Sequence, residues 1–96
     1  MMIGVIATLK VQDGKQAGFE DLMRELAVQV RANEPDCTFY QLHKTDDATT
    51  YIMLEQYSNE AALGAHRGTA HFKELGGRLG EFLGGAPDIQ ILPAVE

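Results

Sequence analysis

The segment formed by residues 2–11 has apolar side chains on both faces, and this feature constrains the fold more than any other. Side chains alternate between the two faces of a strand, so one face carries Ile3, Val5, Ala7, Leu9 and Val11. Met2, Ile6 and Thr8 on the opposite face are also mostly apolar. A strand of this kind needs cover on both sides. Helices of the same chain can supply one layer, and we expect a second sheet to supply the other.

An amphipathic helix is predicted after this strand. Its apolar residues recur at helical spacing, namely Phe19, Leu22, Met23, Leu26, Ala27 and Val30. Asp13 is a suitable N-cap residue, and Gln16 three positions later completes a capping-box pattern. Pro35 disfavours helical geometry at Glu34, so we expect the helix to end by about residue 33.

Three more strands and a second helical region follow. Residues 37–45 and 49–57 are predicted strands joined by a short polar turn, and residues 88–95 form the last strand. Ser58 is expected to cap a short helix that ends before Gly68.

Thr69 is expected to cap a second helical segment, which keeps helical spacing of its apolar residues up to Leu83. Each glycine in a helix interior costs about 1 kcal/mol relative to alanine. This segment contains Gly76, Gly77 and Gly80, so it is predicted to be the less stable helix or one that something packs against closely.

The order strand, helix, strand, strand, helix, strand is the ferredoxin-like split βαβ arrangement of the α+β class. Right-handed crossovers place both helices on one face of a four-stranded antiparallel sheet. We expect residues 1–96 to form one domain. The other face of the sheet is too apolar to stay in water, which predicts a homodimer whose bare faces cover each other.

Charge and composition argue against several classes of partner. The chain carries 14 acidic and 8 basic residues, a net charge of −6, without a cluster of lysine and arginine. Neither nucleic acid nor an anionic membrane is therefore expected to bind. No apolar run approaches the ~20 residues of a membrane span, and the N-terminus does not resemble a signal peptide. The single cysteine, Cys37, fits a reducing, cytoplasmic location.

Two histidines and one glutamate are the candidate catalytic residues. His66 and His71 flank the break between the two helical segments, where a neutral imidazole can accept a proton near pH 7. Glu55 lies between Met53 and Tyr57 on an otherwise apolar strand face. A carboxyl there is paired, solvated at an edge, or raised in pKa by burial. For the histidines, the structural alternative is that they only cap a helix or pack as polar side chains.

Aromatic residues near these groups are candidates for a pocket that binds a flat ligand, and their alternative role is core packing. We select Tyr40, Tyr57, Phe72 and Phe39 as substrate-binding candidates. A metal site is not expected, because His66 and His71 are five residues apart, no HExxH motif is present, and no convincing third ligand follows from the sequence.

Several segments, taken together, resemble the antibiotic biosynthesis monooxygenase family, which includes small quinol monooxygenases. They are Asp13-Gly14-Lys15 with Phe19, Glu34-Pro35 before the strand with Tyr40, and the segments 51–57, 61–66 and 69–72. The resemblance covers almost the whole chain. It implies a dimeric α+β barrel and, as in many members, oxygenation without flavin, haem or metal.

The resemblance thus implies a cofactor-independent monooxygenase that oxidises a quinol-like or polycyclic aromatic substrate with molecular oxygen. The protein would supply a base, a dry pocket and orientation. His66 is the preferred base and His71 the second, while Glu55 would hold or tune the imidazole. The haem-degrading members rely on a tryptophan, and this chain has none.

Two other functions stay open. Family members also include an isomerase of a phosphorylated signal, which would use the same histidines on a small hydroxy-ketone. Arg67 and Lys73 are the nearest candidates for its phosphate site. The other alternative is a non-enzymatic ligand-binding dimer, and a pocket too small for two fused rings would favour it.

Overall fold

The computed structural model describes residues 1–96 and contains four antiparallel strands with helices on one side. The strands are β1 (Ile3–Lys10), β2 (Cys37–Lys44), β3 (Thr50–Tyr57) and β4 (Asp88–Pro93), and their order across the sheet is β2-β3-β1-β4. The regular helices are α1 (Gln16–Asn33) and α2 (Glu60–Arg67). This topology confirms the predicted ferredoxin-like α+β fold. Neither helix combines the length and apolar character that a membrane span requires.

The two faces of the sheet differ in how they are covered. On the helical side, Ile3, Val5, Ala7 and Leu9 are all buried. On the opposite side, Ile6 and Thr8 are only half-buried. Phe39 and Leu92 on that side are 48% and 47% exposed. The helices therefore cover one face of β1 and leave the other bare, as expected, and the structure identifies the covered face as that of Ile3, Val5, Ala7 and Leu9.

The helical layer does not extend over β4. Ile89 and Ile91 pair directly with Ala7 and Val5, so they lie on the helical side of the sheet. Both are nevertheless about half exposed, at 51% and 47%. The uncovered edge leaves an opening beside β4 between the sheet and the helical layer.

Helix α1 supplies more buried apolar residues than any other helix or strand. All six residues of the predicted apolar stripe are buried, namely Phe19, Leu22, Met23, Leu26, Ala27 and Val30. The ring centroids of Phe19 and Tyr51 lie 4.9 Å apart, which joins the helix to β3. The helix ends at Asn33, as the proline at position 35 predicted.

The N-cap predicted for α1 is wrong. Lys15 occupies the N-cap position and makes no capping bond with its side chain, while Asp13 lies two residues earlier. Gly14 between them has a φ of +87°, a conformation that favours glycine and turns the chain before the helix begins. Gln16 closes this turn by accepting a hydrogen bond from the Gly14 N–H at 2.8 Å.

The N-cap predicted for α2 is displaced by one residue. Asn59 is the N-cap, and its Oδ1 accepts a hydrogen bond from the Ala62 N–H at 2.8 Å. Ser58 is held elsewhere, because its backbone N–H donates to the Asp36 carbonyl at 2.8 Å. That bond ties the end of β3 to the start of β2 and leaves the capping position to the next residue.

The regular helix predicted after Thr69 is wrong. The segment instead contains a π-helical turn at Phe72–Gly76 and a 3-10 turn at Leu79–Glu81. The glycines of this region weaken a regular α-helix, as their propensity predicts. Thr69 still acts at the start, where its Oγ1 accepts a hydrogen bond from the Phe72 N–H at 3.3 Å.

The chain after these turns returns to the end of β1. Gln12 donates its N–H to the Phe82 carbonyl, and Gly84 donates its N–H to the Lys10 carbonyl, both at 2.7 Å. The Phe82 ring then lies directly on Gly18 of α1, where a Cβ would come within 2.7 Å of the ring. The absence of a side chain at Gly18 permits this close approach.

Candidate functional site

A small apolar cavity lies between the sheet and the helical layer. Its volume is about 130 Å³, and most of its lining side chains are hydrophobic. The exposed residues among those that line it are Arg67, Pro87 and Ile89, which places its mouth beside β4. Among the other lining residues, His66, Glu55 and Tyr40 are the ones that bring polar groups.

His66 is the most deeply buried polar residue of this cavity, with 3% of its surface exposed. It lies in the last turn of α2. Its ring centroid is 5.5 Å from that of Tyr40, 5.4 Å from Tyr57 and 4.7 Å from Phe72. Three aromatic rings therefore hold the imidazole in one orientation.

The two nitrogens of His66 have different surroundings. Nδ1 lies 2.9 and 3.0 Å from the two carboxylate oxygens of Glu34. Nε2 has no hydrogen-bond partner within the protein. Every fully buried polar side-chain atom has such a partner, so Nε2 is not fully buried. His66 lines the cavity and Glu34, the partner of Nδ1, does not, so we assign Nε2 as the nitrogen that faces the cavity.

Glu34 is the residue that the sequence analysis missed as a site residue. Its Oε2 lies 2.5 Å from Nε2 of His71 in addition to its contacts with His66. The side chains of Glu34 and His71 are only 10% and 12% exposed. A carboxylate can only accept hydrogen bonds, so we assign both imidazole nitrogens as donors. Glu34 follows directly after α1, and the topology returns α2 to the same end of the sheet.

Glu55 forms a separate pair with Tyr57. The Tyr57 hydroxyl donates to Oε1 of Glu55 at 2.6 Å. Burial raises the pKa of the Glu55 carboxyl, and the Tyr57 hydrogen bond and then the charges of His66 and Arg67 oppose this rise. Burial also raises the pKa of both Tyr57 and Tyr40. Glu55 makes no hydrogen bond to either histidine, so holding the imidazole falls to Glu34.

The predicted site residues do not all meet at the cavity. His66, Glu55, Tyr40 and Phe72 line it. Tyr57 is fully buried behind His66 and Glu55. The prediction that Phe39 lines the pocket is wrong, because the pleat turns its side chain to the bare face of the sheet.

Two further predicted residues also lie away from the cavity. His71 lies behind Glu34 and borders a separate surface hollow with Glu25 and Glu74. Of the two phosphate-binding candidates, Arg67 is at the cavity mouth, whereas Lys73 is exposed and does not line the cavity. A single cation at the mouth gives little support to a phosphate site.

Glu34, His66 and His71 also have the donor types of a metal site. One ligand atom from each lies within 4.8 Å of the others, and imidazole with carboxylate suits a divalent transition metal. The separations of 2.5–3.0 Å between their atoms are those of hydrogen bonds. Mutual hydrogen bonding therefore accounts for the cluster, and we assign it as a network centred on Glu34.

Cys37 lies near this network without the properties of a nucleophile. Burial, followed by the negative charge of Glu34, raises the pKa of its thiol to about 11. The thiolate is the reactive form of cysteine, and it is scarce at neutral pH when the pKa is this high.

Comparison with known proteins identifies the family of this chain. The sequence profile described as antibiotic biosynthesis monooxygenase matches residues 2–76. "Putative monooxygenase YcnE" of Bacillus subtilis is 33% identical over 72 residues, which are 75% of this chain and 76% of that protein. "Putative monooxygenase Rv0793" of Mycobacterium tuberculosis is 27% identical over 81 residues, 84% of this chain and 79% of that protein.

Solved structures agree with the sequence matches. A crystal structure described as "a putative antibiotic biosynthesis monooxygenase" from Caulobacter crescentus CB15 has a TM-score of 0.96 and 48% identity, and the match covers 99% of this chain and 91% of that one. The structure of Rv0793 has a TM-score of 0.91 and covers 100% of this chain and 97% of that one at 23% identity. The chain therefore belongs to the antibiotic biosynthesis monooxygenase family.

Proposed function

We propose that the protein is a cofactor-independent monooxygenase that oxidises a quinol-like aromatic molecule with molecular oxygen. The observation that carries this proposal is the position of His66, which lines a mostly apolar cavity while Glu34 holds its Nδ1 and three aromatic side chains pack around its ring. A base held in such a cavity can take the hydroxyl proton of a quinol. Family membership supports the reaction class.

The proposed reaction balances without an added redox group. His66 takes a proton, and the electron-rich substrate anion transfers one electron to oxygen. The substrate radical and superoxide then combine into a carbon-bound peroxide. The peroxide takes the proton back from His66 and then loses water, which includes the hydrogen of the peroxide-bearing carbon. One oxygen atom stays in the product as a new carbonyl, and the other leaves in the water. The protein contributes the base, the orientation and the exclusion of bulk water.

The size of the cavity favours a substrate with one aromatic ring. An engineered cavity of about 150 Å³ binds benzene, and the cavity beside His66 is about 130 Å³. Two or three fused rings need more space, which requires movement at the mouth near Pro87 and Ile89. A one-ring hydroquinone is therefore the substrate class that we favour over a polycyclic aromatic.

The proposal includes a homodimer and a cytoplasmic location. The face of the sheet that carries Phe39 and Leu92 remains half exposed, and a second copy placed on it would bury both. The unpaired thiol of Cys37 fits a reducing compartment. Sedimentation at micromolar concentration tests the dimer, and a folded monomer at that concentration would contradict it.

Oxygen uptake by protein treated with a chelator tests the reaction. The substrates are a one-ring hydroquinone, the two-ring menadiol and a three-ring anthrone, and we expect the rate above background to fall with ring number. His66→Ala should lower the catalysed rate by about 10²–10⁴-fold, the usual contribution of a general base. His43→Ala is the control, because His43 does not line the cavity. Since His43 lies on the face that a second copy would cover, the control must sediment like the wild-type protein. An unchanged rate in both His66→Ala and His71→Ala would contradict the assignment.

The small cavity also favours a second candidate, a dimer that binds a ring-sized ligand without reacting with it. The same preparation separates the two functions. A binding protein would take up a one-ring hydroquinone with measurable affinity, and oxygen consumption would stay at background. Deuterium exchange into a hydroxy-ketone without oxygen consumption would indicate the isomerase reaction instead.

A further inference from the structure

We propose that Glu34 is a positioning residue that keeps His66 in the tautomer whose Nε2 lone pair faces the cavity, and that His71 holds Glu34 in place. The inference deepens the proposed function, since it names the groups that make His66 competent as a base. It concerns three residues from separate segments: Glu34 between α1 and β2, His66 at the end of α2, and His71 between α2 and the π-helical turn.

The geometry permits one tautomer of neutral His66. Both oxygens of Glu34 lie within 3.0 Å of Nδ1, and a carboxylate offers only acceptors. Nδ1 must therefore carry the proton, because the other tautomer would place its lone pair against the carboxylate oxygens. The proton on one nitrogen leaves the other as an acceptor, so Nε2 is ready to take a proton from the cavity.

The packing around His66 prevents the ring from escaping this arrangement. A half-turn of the ring would exchange Nδ1 with Cδ2 and would break the bond to Glu34. Tyr40, Tyr57 and Phe72 contact the ring from β2, β3 and the π-helical turn, and they leave little room for rotation. The carboxylate selects the tautomer, and the three rings preserve the orientation.

Glu34 is also the charged group best placed to stabilise the imidazolium. The other titratable groups around the site are Tyr40 and Cys37 on β2, Glu55 and Tyr57 on β3, Arg67 on α2, and His71. Glu55 is hydrogen-bonded to Tyr57 and not to the imidazole. Only Glu34 bonds to the ring, so its charge compensates directly the proton that His66 acquires.

His71 completes the network from the solvent side. Its Nε2 donates to Oε2 of Glu34, and this bond restricts the rotation of a carboxylate that would otherwise be free to turn towards water. Residues that orient a reactive group through hydrogen bonds must keep it within a narrow range of geometries. Loss of His71 should therefore loosen Glu34 and reduce the rate less than loss of Glu34 itself.

The decisive experiment is ¹⁵N-detected NMR of the histidine rings in the full chain without substrate. In the wild-type protein, we expect neutral His66 to be almost wholly in the Nδ1–H form. Glu34→Leu removes the acceptor, and the Nε2–H form should become the major one. Glu60→Leu, at an exposed glutamate of α2, should leave the His66 spectrum unchanged. His66 in the Nε2–H form in the wild-type protein would overturn the inference without any variant.

The kinetics of the near-isosteric Glu34→Gln variant distinguish a positioning role from a merely structural one, because they separate an effect on kcat from an effect on KM. Replacing the aspartate of a serine protease triad by its amide lowers kcat by about 10⁴-fold. We expect kcat to fall by about 10²-fold or more in Glu34→Gln with KM within about twofold, a smaller fall in His71→Ala, and partial retention of kcat in Glu34→Asp. An unchanged kcat in Glu34→Gln would refute the positioning role. If the NMR spectra show the expected tautomers but the protein consumes no oxygen, the proposed function is refuted and the positioning role of Glu34 stands.

Discussion

A matched pair of glycine substitutions tests whether the irregular segment after α2 packs where the structure places it. Gly18 in α1 and Gly64 in α2 both occupy helices, and both are exposed. A Cβ at Gly64 meets nothing within 4 Å, whereas a Cβ at Gly18 would lie 2.7 Å from Cε1 of Phe82. The two positions therefore separate the intrinsic effect of alanine in a helix from the effect of this one contact.

The expected free energies of unfolding follow from that difference. Gly64→Ala should raise the free energy of unfolding by about 0.5–1 kcal/mol, because alanine loses less backbone entropy than glycine. Gly18→Ala raises the free energy of unfolding by at most the same amount through this entropy effect. Crowding of the new methyl group against the Phe82 ring lowers it by about 1–3 kcal/mol. The Gly18→Ala protein should thus be less stable than the Gly64→Ala protein by about 1–3 kcal/mol, and 1 kcal/mol corresponds to about 4–8 °C in Tm for a chain of this size.

Urea unfolding at one fixed protein concentration measures the comparison, since assembly would make the apparent stability concentration-dependent. A double-mutant cycle identifies the contact responsible. When Phe82→Ala removes the ring, the Gly18→Ala change should become stabilising. If Gly18→Ala is as stable as Gly64→Ala in the wild-type background, the Phe82 ring does not pack on α1 as described. That result would refute the account of residues 82–84.

Three more substitutions test the local chemistry around α2 and β3. Asn59→Ala should lower the free energy of unfolding by about 0.5–2 kcal/mol through loss of the bond to the Ala62 N–H. Ser58→Ala removes only an exposed 3.2 Å bond from its Oγ to the Asp36 carbonyl and should cost less, at most about 0.5 kcal/mol. A larger loss in Ser58→Ala than in Asn59→Ala in urea unfolding would contradict the assigned cap. The pKa of Glu55 is raised by burial in the folded state, so the folded state holds this proton more tightly, and stability falls as pH rises from the ordinary carboxyl pKa through the raised one. Glu55→Gln should retain an acceptor for Tyr57 and gain stability relative to the wild-type protein as the pH rises above the ordinary carboxyl pKa, and parallel stability curves would show that Glu55 is not desolvated.

The sequence predicted the parts of the fold that depend on a regular period. The stripe from Phe19 to Val30 and the alternation along β1 determine which faces are buried, and both were confirmed. Helix starts were predicted less well, because several polar residues compete for each cap. Ser58 and Asn59 are both good caps, and only the tertiary bond from Ser58 to Asp36 decides between them.

The region from Thr69 to Leu83 shows a different limit of sequence reasoning. Its apolar residues keep helical spacing, and the structure nevertheless forms a π-helical turn and a 3-10 turn there. Spacing describes which residues need burial but not how the backbone reaches it. The glycines gave the better signal, since they permit tight turns and close contacts that a regular helix does not need.

Glu34 was missed for a physical reason that applies to other small α+β proteins. Glu55 attracts attention as a carboxylate on an apolar strand face, and His66 as an imidazole at the break between two helical segments. Glu34 lies in a polar connection, where a glutamate is unremarkable. Its importance arises only when the split βαβ topology brings the end of α1 against α2 and the segment that follows. The topology was already predicted from the order of the elements, so the residue could have been found by asking which carboxylates lie at the end of the sheet where α2 packs. A base is recognised from its own segment, but the group that orients it must be sought in the segments that the fold places beside it.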